Sequence, residues 1–309
     1  MEMLIPILAA AVRSGTPILY ATLGEILTEK SGISNLGLEG IMLVGAFTGF
    51  SVSLSTGCPA FGLAGAFVAG VLMSLIHAFV CVTLKGNQVV SGLALTMFGT
   101  GASSLLGRSY IGVTIPGLAK YPIPVLSEIP YVGPILFNHD ILIYASYVLV
   151  AFLCWFFVAT RTGLNLRAAG DNPRAADAMG LDVSRIRYAA TLIGGGIVAL
   201  GGAYMSIVYN KMWAEAMSAG RGWIAVALVI FAIWNPARAM LGAYLFGGVE
   251  AFQLRLQAAG TSIPAPLLMM LPYITTILVL FVISVKKGRG LIFGAPASLG
   301  VPFFREERD

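Results

Sequence analysis

The chain has 309 residues and a formal net charge of +5; 58% of its residues are hydrophobic and 11% are Asp, Glu, Lys or Arg. A soluble domain carries charge on about a quarter of its residues, far more than the share in this chain. The low charge and the mean hydropathy of +0.87 together exclude a globule that dissolves in water and predict a protein whose solvent is lipid. The basic excess falls in the predicted loops, so nucleic-acid binding is not needed to explain it.

Nine segments are predicted to span the membrane, with eight to ten as the range, because one crossing needs roughly 20 mostly apolar residues. The fourth segment is rich in amide, hydroxyl and glycine residues, so we expect a buried or broken helix there instead of a lipid-facing one. The predicted fold is an all-α polytopic bundle that forms one domain over 1–309. In chain order the segments cover 7–27, 37–55, 61–84, 88–106, 141–160, 188–208, 222–237, 239–256 and 268–285.

Two long loops differ in character. The loop over 107–140 contains five prolines, which predicts an extended segment with at most a short helix. The loop over 161–187 is basic and has a helix-start signal at Asn172-Pro173, helix-forming residues up to Met179, and Gly180 at a C-terminal cap position. We therefore predict a short helix on the membrane surface there, and a C-terminal tail over 286–309.

The distribution of Lys and Arg predicts the orientation, because basic loops stay in the cytoplasm. If the loop after the fifth span is inside, that side holds thirteen of the nineteen basic residues and the other side holds six. Nine spans then place the N-terminus outside and the C-terminus in the cytoplasm.

Motifs of enzymes and metal sites are absent from the sequence. There is no P-loop, no His-Glu-x-x-His pair and no Gly-x-Ser-x-Gly elbow. The three cysteines have no metal-ligand spacing. Because the spans hold few ionisable residues, we predict a pore that is powered from outside, not an enzyme or a proton-coupled carrier.

Acidic and amide residues inside the predicted spans are candidates for function, since they are costly in lipid. Glu39 lies one turn into a helix that Asn35 is expected to cap, where the helix dipole alone explains an anion. Glu250, Gln253 and Gln257 share one helix face. That stripe either lines a substrate path or makes hydrogen bonds between helices.

Three stretches, in family order, resemble permease subunits of bacterial ATP-binding-cassette (ABC) importers. The group includes ribose and branched-chain amino-acid permeases, and the resemblance is closest to nucleoside ("simple sugar") permeases that work with a basic-membrane-protein-type lipoprotein. The sequence Asn35-Leu36-Gly37 replaces the Asp-Leu-Ser of sugar permeases and favours nucleosides, and Arg174 replaces a Glu of the coupling loop in another importer type. The stretches are Gly24–Met42, Ala169–Val183, and Gly220–Leu228 with Trp234–Pro236 and Leu245–Gly247.

The resemblance implies that the chain forms half of a pore in the bacterial cytoplasmic membrane. It implies three partners: a separate ATPase that binds ATP and Mg, a second homologous permease, and an extracytoplasmic substrate-binding lipoprotein. No cofactor is expected on this chain. The residues expected to dock into the ATPase are Asn172, Pro173, Arg174, Ala175, Ala176 and Gly180.

A nucleoside path needs amides and hydroxyls for the ribose and base edges, and an aromatic ring for stacking. The same side chains are equally able to hold helices together. The same role for ribose or branched-chain amino acids stays open, as does a stand-alone secondary carrier or channel. The residues predicted to line the path are Asn35, Glu39, Asn87, Gln88, Ser91, Thr96, Trp223, Asn235, Glu250 and Gln253.

Overall fold

The computed structural model describes residues 4–261, 264–287 and 294–305, and over these ranges the chain forms thirteen α helices and no β strand. The all-α prediction is confirmed. Turns of π-helix extend α3 over Phe79–Thr83 and α9 over Met205–Tyr209. The helices are α1 (Leu4–Glu29), α2 (Leu38–Thr56), α3 (Pro59–Ala78), α4 (Gln88–Gly107), α5 (Val132–Leu136), α6 (Ile141–Ala159), α7 (Arg161–Asp171), α8 (Pro173–Ala178), α9 (Val183–Tyr204), α10 (Arg221–Phe231), α11 (Pro236–Ala258), α12 (Ala265–Met269) and α13 (Leu271–Lys287).

Five helices of the described chain are long and apolar enough to cross a membrane: α2, α3, α4, α6 and α9. Of these, α3, α4 and α9 are taken with the turns that extend them to Thr83, Tyr110 and Tyr209. Helices α1 and α11 have 26 and 23 residues but contain charged side chains, and α10 and α13 have 11 and 17 residues. Each of the nine predicted segments thus contains a helix, whereas the number of complete crossings stays a prediction.

Helix α9 lies at the centre of the bundle, and 83% of its apolar span is buried. It packs against α1, α2 and α3, and small residues bring the backbones together. The Cα of Gly202 lies against the carbonyl of Met42, and Gly24 faces Gly194 across α1 and α9. Close van der Waals packing of this kind holds helices together in lipid, where the hydrophobic effect does not drive them together.

The prediction that 88–106 is a buried or broken helix is wrong. Helix α4 is continuous, and 22% of its span is buried within the chain. Its glycines Gly92 and Gly99 face Leu36 and Gly40, while apolar side chains such as Met97 point outward. The polar and small residues form one packing face toward α2, so they do not require the whole helix to be enclosed.

The segment 107–140 is irregular, as its prolines predicted. It contains the five-residue helix α5 and two short 3-10 turns, at Arg108–Tyr110 and Leu126–Glu128. A backbone hydrogen bond from the N–H of Ile115 to the carbonyl of Lys211, at 3.0 Å, ties it to the segment after α9.

Candidate functional site

The chain does not run directly from α1 into α2; residues 30–37 form a non-helical segment, with turns at 30–32 and 36–37, that lies against α1 and α4 inside the bundle. The backbone N–H of Asn35 donates to Glu25 Oε1 at 2.7 Å, and the N–H of Ser34 donates to Gln88 Oε1 at 2.7 Å. Non-helical backbone is tolerated at membrane depth only where its polar groups find partners inside the protein. Side chains of α1 and α4 supply those partners here. We call residues 30–37 the re-entrant segment.

A buried histidine on α3 holds the same segment from the other side. His77 Nε2 lies 3.1 Å from the carbonyl oxygen of Ser34, and His77 Nδ1 lies 3.0 Å from Ser91 Oγ. The hydroxyl of Thr96 donates to the carbonyl of Leu36 at 3.0 Å. The predicted path residues Ser91 and Thr96 therefore lie beside the re-entrant segment, where they hold its backbone.

The start of α10 meets the start of α2 at one carboxylate. Glu39 Oε1 accepts hydrogen bonds from Ser218 Oγ at 2.5 Å and from the N–H of Gly220 at 2.8 Å, and Oε2 accepts one from the N–H of Gly222 at 2.7 Å. A carboxylate at this position satisfies N–H groups that lack helical partners and balances the positive end of the α10 dipole. Glu39 thus caps a helix that lies far from it in the sequence.

The expected capping of α2 by Asn35 is wrong. Asn35 Oδ1 accepts the N–H of Gly37 at 2.8 Å, which makes a tight turn within the re-entrant segment. Gly37 precedes the first residue of α2, and its side chain cannot cap. Asn35 shapes this turn instead, and its own backbone N–H binds Glu25.

An ion pair lies next to this meeting point. The guanidinium of Arg221, in the first turn of α10, binds Glu250 on α11 and donates to the carbonyls of Met217 and Ser218 at 3.3 and 3.2 Å. Arg221 and Gln253 are both buried, and Glu250 is partly buried. The predicted residues Glu250 and Gln253 thus face the bundle interior beside the start of α10.

Three other predicted path residues lie apart from this region. Asn87 caps α4 by accepting the N–H of Val90 at 3.1 Å, and Asn235 caps α11 by accepting two N–H groups. Trp223 is 40% exposed on the outer face of α10. Their role in a path stays a prediction, and the two asparagines have a local structural role.

The predicted short surface helix is present as α8, preceded by a second helix, α7. Asn172 Oδ1 accepts the N–H of Ala175 at 3.0 Å, Pro173 is the first helical residue, and Gly180 ends the turn with a φ of +84°. The start and stop signals in the sequence therefore describe the real ends of this helix. Its docking role is untested by these contacts.

The expectation that Ala176 is offered to a partner is wrong. Ala176 is 3% exposed and packs in a small cluster with Ala169, Val183 and Phe303. The outward face of α8 instead carries Ala175 and Met179, the latter 84% exposed. The helical period explains the difference: positions one turn apart face the protein, and the residues beside them face outward.

The C-terminal residues 294–305 pack across this end of the bundle; we call them the C-terminal strap. Ser298 N–H donates to Gly170 O at 3.0 Å, and Gly300 N–H donates to Gly32 O at 3.1 Å. The strap therefore bridges α7 and the re-entrant segment. The rest of the predicted tail, 288–293 and 306–309, lies outside the described residues, and α13 continues to Lys287.

Arg187 lies beneath the strap and is 1% exposed. Its guanidinium donates to Ser31 O, to Val301 O and to Ser298 Oγ, each at 3.2 Å. One buried cation on α9 thus binds both the re-entrant segment and the strap, two segments that are distant in the sequence. Sequence reasoning used Arg187 only as a loop charge, because nothing local distinguishes it from its neighbour Arg185.

Basic residues gather at the same end of the bundle as the strap. Lys85 lies over the ring of Phe304 at 4.0 Å, and Arg305 pairs with Asp177 at 3.4 Å. Lys30 and Arg167 lie close together at this end. This end therefore carries several basic residues, and its orientation in the membrane stays a prediction.

Several buried polar residues were missed by the sequence analysis. Glu29 Oε2 accepts the indole N–H of Trp234 at 2.6 Å, which joins the end of α1 to the end of α10. His77 and Ser218 also have partners far away in the chain. A polar residue inside an apolar segment is the signal that would have found His77. Among the described residues no group of three or more His, Cys, Asp or Glu is placed to hold a metal ion.

Comparisons with known proteins agree on one family. The family model described as "Branched-chain amino acid transport system / permease component" matches residues 7–280. TsgC13 of Haloferax volcanii, provisionally named a glucose ABC transporter permease protein, is 37% identical over 97% of this chain and 98% of its own length.

Two further relatives are named for nucleosides. The guanosine ABC transporter permease protein NupQ of Bacillus subtilis is 33% identical over 98% of this chain and 97% of its own length. The nucleoside ABC transporter permease protein NupC of Lactococcus lactis is 34% identical over 94% of each chain. A second guanosine permease protein of B. subtilis, NupP, is 24% identical over 88% of this chain and 80% of its own length.

Proposed function

Because the chain belongs to the family of permease components of branched-chain amino acid transport systems, we propose that it forms half of the pore of an ABC importer for nucleosides. The observation that carries this choice of substrate is the similarity to two nucleoside-named permeases over almost the whole chain. The match includes the re-entrant segment and the start of α10, the regions where polar groups lie inside the bundle.

The interrupted helices supply a physical reason for a transport path. Transporters commonly bind substrates where helices are broken, because half-helix ends and unwound backbone present hydrogen-bonding groups at membrane depth. Here α2 and α10 both begin inside the bundle, and Glu39 joins them. Asn35, Gln88, Ser91 and Thr96 surround one break, and Glu250 and Gln253 surround the other.

The energy for transport comes from a separate ATPase that binds ATP and Mg, while this chain binds no cofactor. Helix α8 is the coupling helix, and its outward face docks into the ATPase. The strap ties α7 to the re-entrant segment through Gly170 and Gly32. A movement of α7 and α8 is therefore transmitted to the re-entrant segment, which precedes the start of α2 in the proposed path.

The second half of the pore is a homologous permease, so the complex is a heterodimer. Two B. subtilis permeases match this chain, one at 33% and the other at 24% identity. Unequal similarity to two proteins of one organism favours a division into two permease types. An extracytoplasmic lipoprotein delivers the substrate.

The membrane is the bacterial cytoplasmic membrane, and the basic end of the bundle faces the cytoplasm. The contacts of Lys85 and Arg305 place basic side chains around α8 and the strap, and anionic lipid and the positive-inside rule favour that side. The N-terminus is then outside and the C-terminus inside.

Uptake of labelled substrates tests the proposal. Cells with and without this gene are given guanosine, uridine, ribose, glucose and leucine; loss of nucleoside uptake alone is expected on deletion. Loss of glucose uptake alone would establish the second candidate, a sugar permease, which the identity to TsgC13 favours. Uptake that survives inactivation of the partner ATPase would instead indicate a stand-alone carrier.

A further inference from the structure

A cavity of about 220 Å³ lies between α1, α10, α11 and α13, next to the start of α10. Its polar wall is formed by Arg221, Glu250 and Gln253, and its apolar wall includes Ile224 and Phe246. The ring of Tyr273 closes one side, where its hydroxyl donates to the carbonyl of Ala219 at 3.1 Å. Polar groups on one wall and an aromatic ring on another are typical of small-molecule sites.

One buried donor in this wall has no partner in the described chain. The Nε of Arg221 is buried without a hydrogen bond, although the other guanidinium nitrogens are bound. Gln253 lines the cavity beside it and is 7% exposed. Buried polar groups are nearly always paired, so an unpaired donor in the wall of a cavity points to a ligand that supplies an acceptor.

The charge of the wall limits the ligand. Arg221 and Glu250 neutralise one another, so no net charge is left for a carboxylate or an ammonium group. A zwitterionic amino acid would need both charges for itself. The Glu250 carboxylate and the Gln253 carbonyl still accept hydrogen bonds from hydroxyl groups, and Tyr273 offers a flat face to a planar ring.

We propose that this cavity binds a nucleoside, with the ribose hydroxyls at Glu250 and Gln253 and the base against Tyr273. The proposal rests on the proposed function and names the site at which the substrate is held during transport. Arg221 is a second binding residue, since its Nε donates to the ligand while its remaining nitrogens fix the start of α10.

Direct binding tests the proposal without the selectivity of the lipoprotein. The complete membrane complex, purified in nanodiscs and free of lipoprotein, is titrated with tritiated guanosine and, separately, with tritiated ribose. Saturable guanosine binding is expected, and Gln253→Leu should weaken it roughly fivefold to tenfold, as the loss of one or two hydrogen bonds does. Leu241→Ala, at an exposed position of the same helix outside the cavity, is the control and should bind as the wild type does.

Tyr273→Ala provides an independent variant on a half-exposed side chain, so it decides the question even if Gln253→Leu does not assemble. Weaker guanosine binding by Tyr273→Ala supports the site. Equal binding by wild type and both cavity variants, ribose binding as tight as that of guanosine, or no saturable binding at all would overturn it. Nucleoside uptake by the wild-type cells would then still support the proposed function, so the two failures are distinguishable.

Discussion

The Oε2 atom of Glu39 lies 2.7 Å from the backbone nitrogen of Gly222, so that the first turns of α2 and α10 are joined although 183 residues separate them. Gly222 fits this contact because it has no side chain: a Cβ there would fall 2.5 Å from the backbone nitrogen of Glu39. The starts of α2 and α10 are therefore in direct contact, so that a shift of one is felt by the other.

Glu39→Gln is expected to destabilise the protein by about 1–2 kcal/mol. The change keeps one acceptor oxygen but removes the charge that faces the α10 dipole, and cap and dipole effects have this size. Thermal unfolding in detergent measures the difference. Glu215→Gln, on an exposed residue of the segment before α10, should unfold as the wild type does. Equal unfolding temperatures for both variants would contradict the capping role.

The contrast between α8 and Glu39 explains what the sequence can and cannot predict. Asn172 and Gly180 act on backbone groups within a few residues of themselves, so their effect is readable from the local sequence. Glu39 and Arg187 act on partners more than 100 residues away, and no periodicity or cap rule names such partners. The burial of Glu39 was foreseeable, because it lies in a predicted span, whereas Arg187 was counted as a loop charge and the contacts of neither residue were predicted.

Helix α4 shows a second limit. Its polar residues were read as a sign of complete burial, but they occupy one face, and the other face is apolar and exposed. The average polarity of a helix indicates how much polar surface must be covered. The spacing of its polar residues along the sequence indicates which face of the helix must be covered. In a Gly-rich helix this spacing is hard to recognise, because glycine has no clear preference for lipid or for the protein interior. It indicates only where two helix backbones approach each other.

Arg187→Leu is expected to release the C-terminal strap. The change removes three hydrogen bonds from a buried cation, and each bond to a charged group contributes about 1.5–3 kcal/mol. Limited proteolysis should then cleave within 294–305 at lower protease concentrations than in the wild type, and substrate uptake should fall. Arg185→Leu is the control: this neighbour has 88% of its side chain exposed and pairs only at the surface with Asp182. Unchanged proteolysis of Arg187→Leu would show that the strap is held by its other contacts.

Gly202→Ala is expected to destabilise the bundle by about 1–3 kcal/mol, the usual cost of overpacking a close-packed contact. A Cβ at this position would overlap the carbonyl oxygen of Met42 at the crossing of α2 and α9. Gly101→Ala is the matched control on α4, because a Cβ there meets open space; it should be neutral or slightly stabilising, since Ala favours the helix by up to about 1 kcal/mol. Unfolding temperatures of the two variants in the same detergent measure the contrast, and equal values would contradict the packing argument.

Met179→Glu is expected to abolish copurification of the ATPase while the chain still inserts in the membrane. Met179 directly follows the last residue of α8 and is 84% exposed, and an apolar residue on a docking face loses its contribution to binding when a charge replaces it. Ala176→Arg is the wrong test of docking, because Ala176 is buried against Val183 and Phe303 and an arginine there would unfold α8 itself. Leu164→Glu, on the exposed face of α7, is the control. Copurification lost in Met179→Glu and kept in Leu164→Glu would place the contact on α8, and loss in both would extend the docking surface to α7. An ATPase that copurifies normally with Met179→Glu would contradict the role of α8 as the coupling helix.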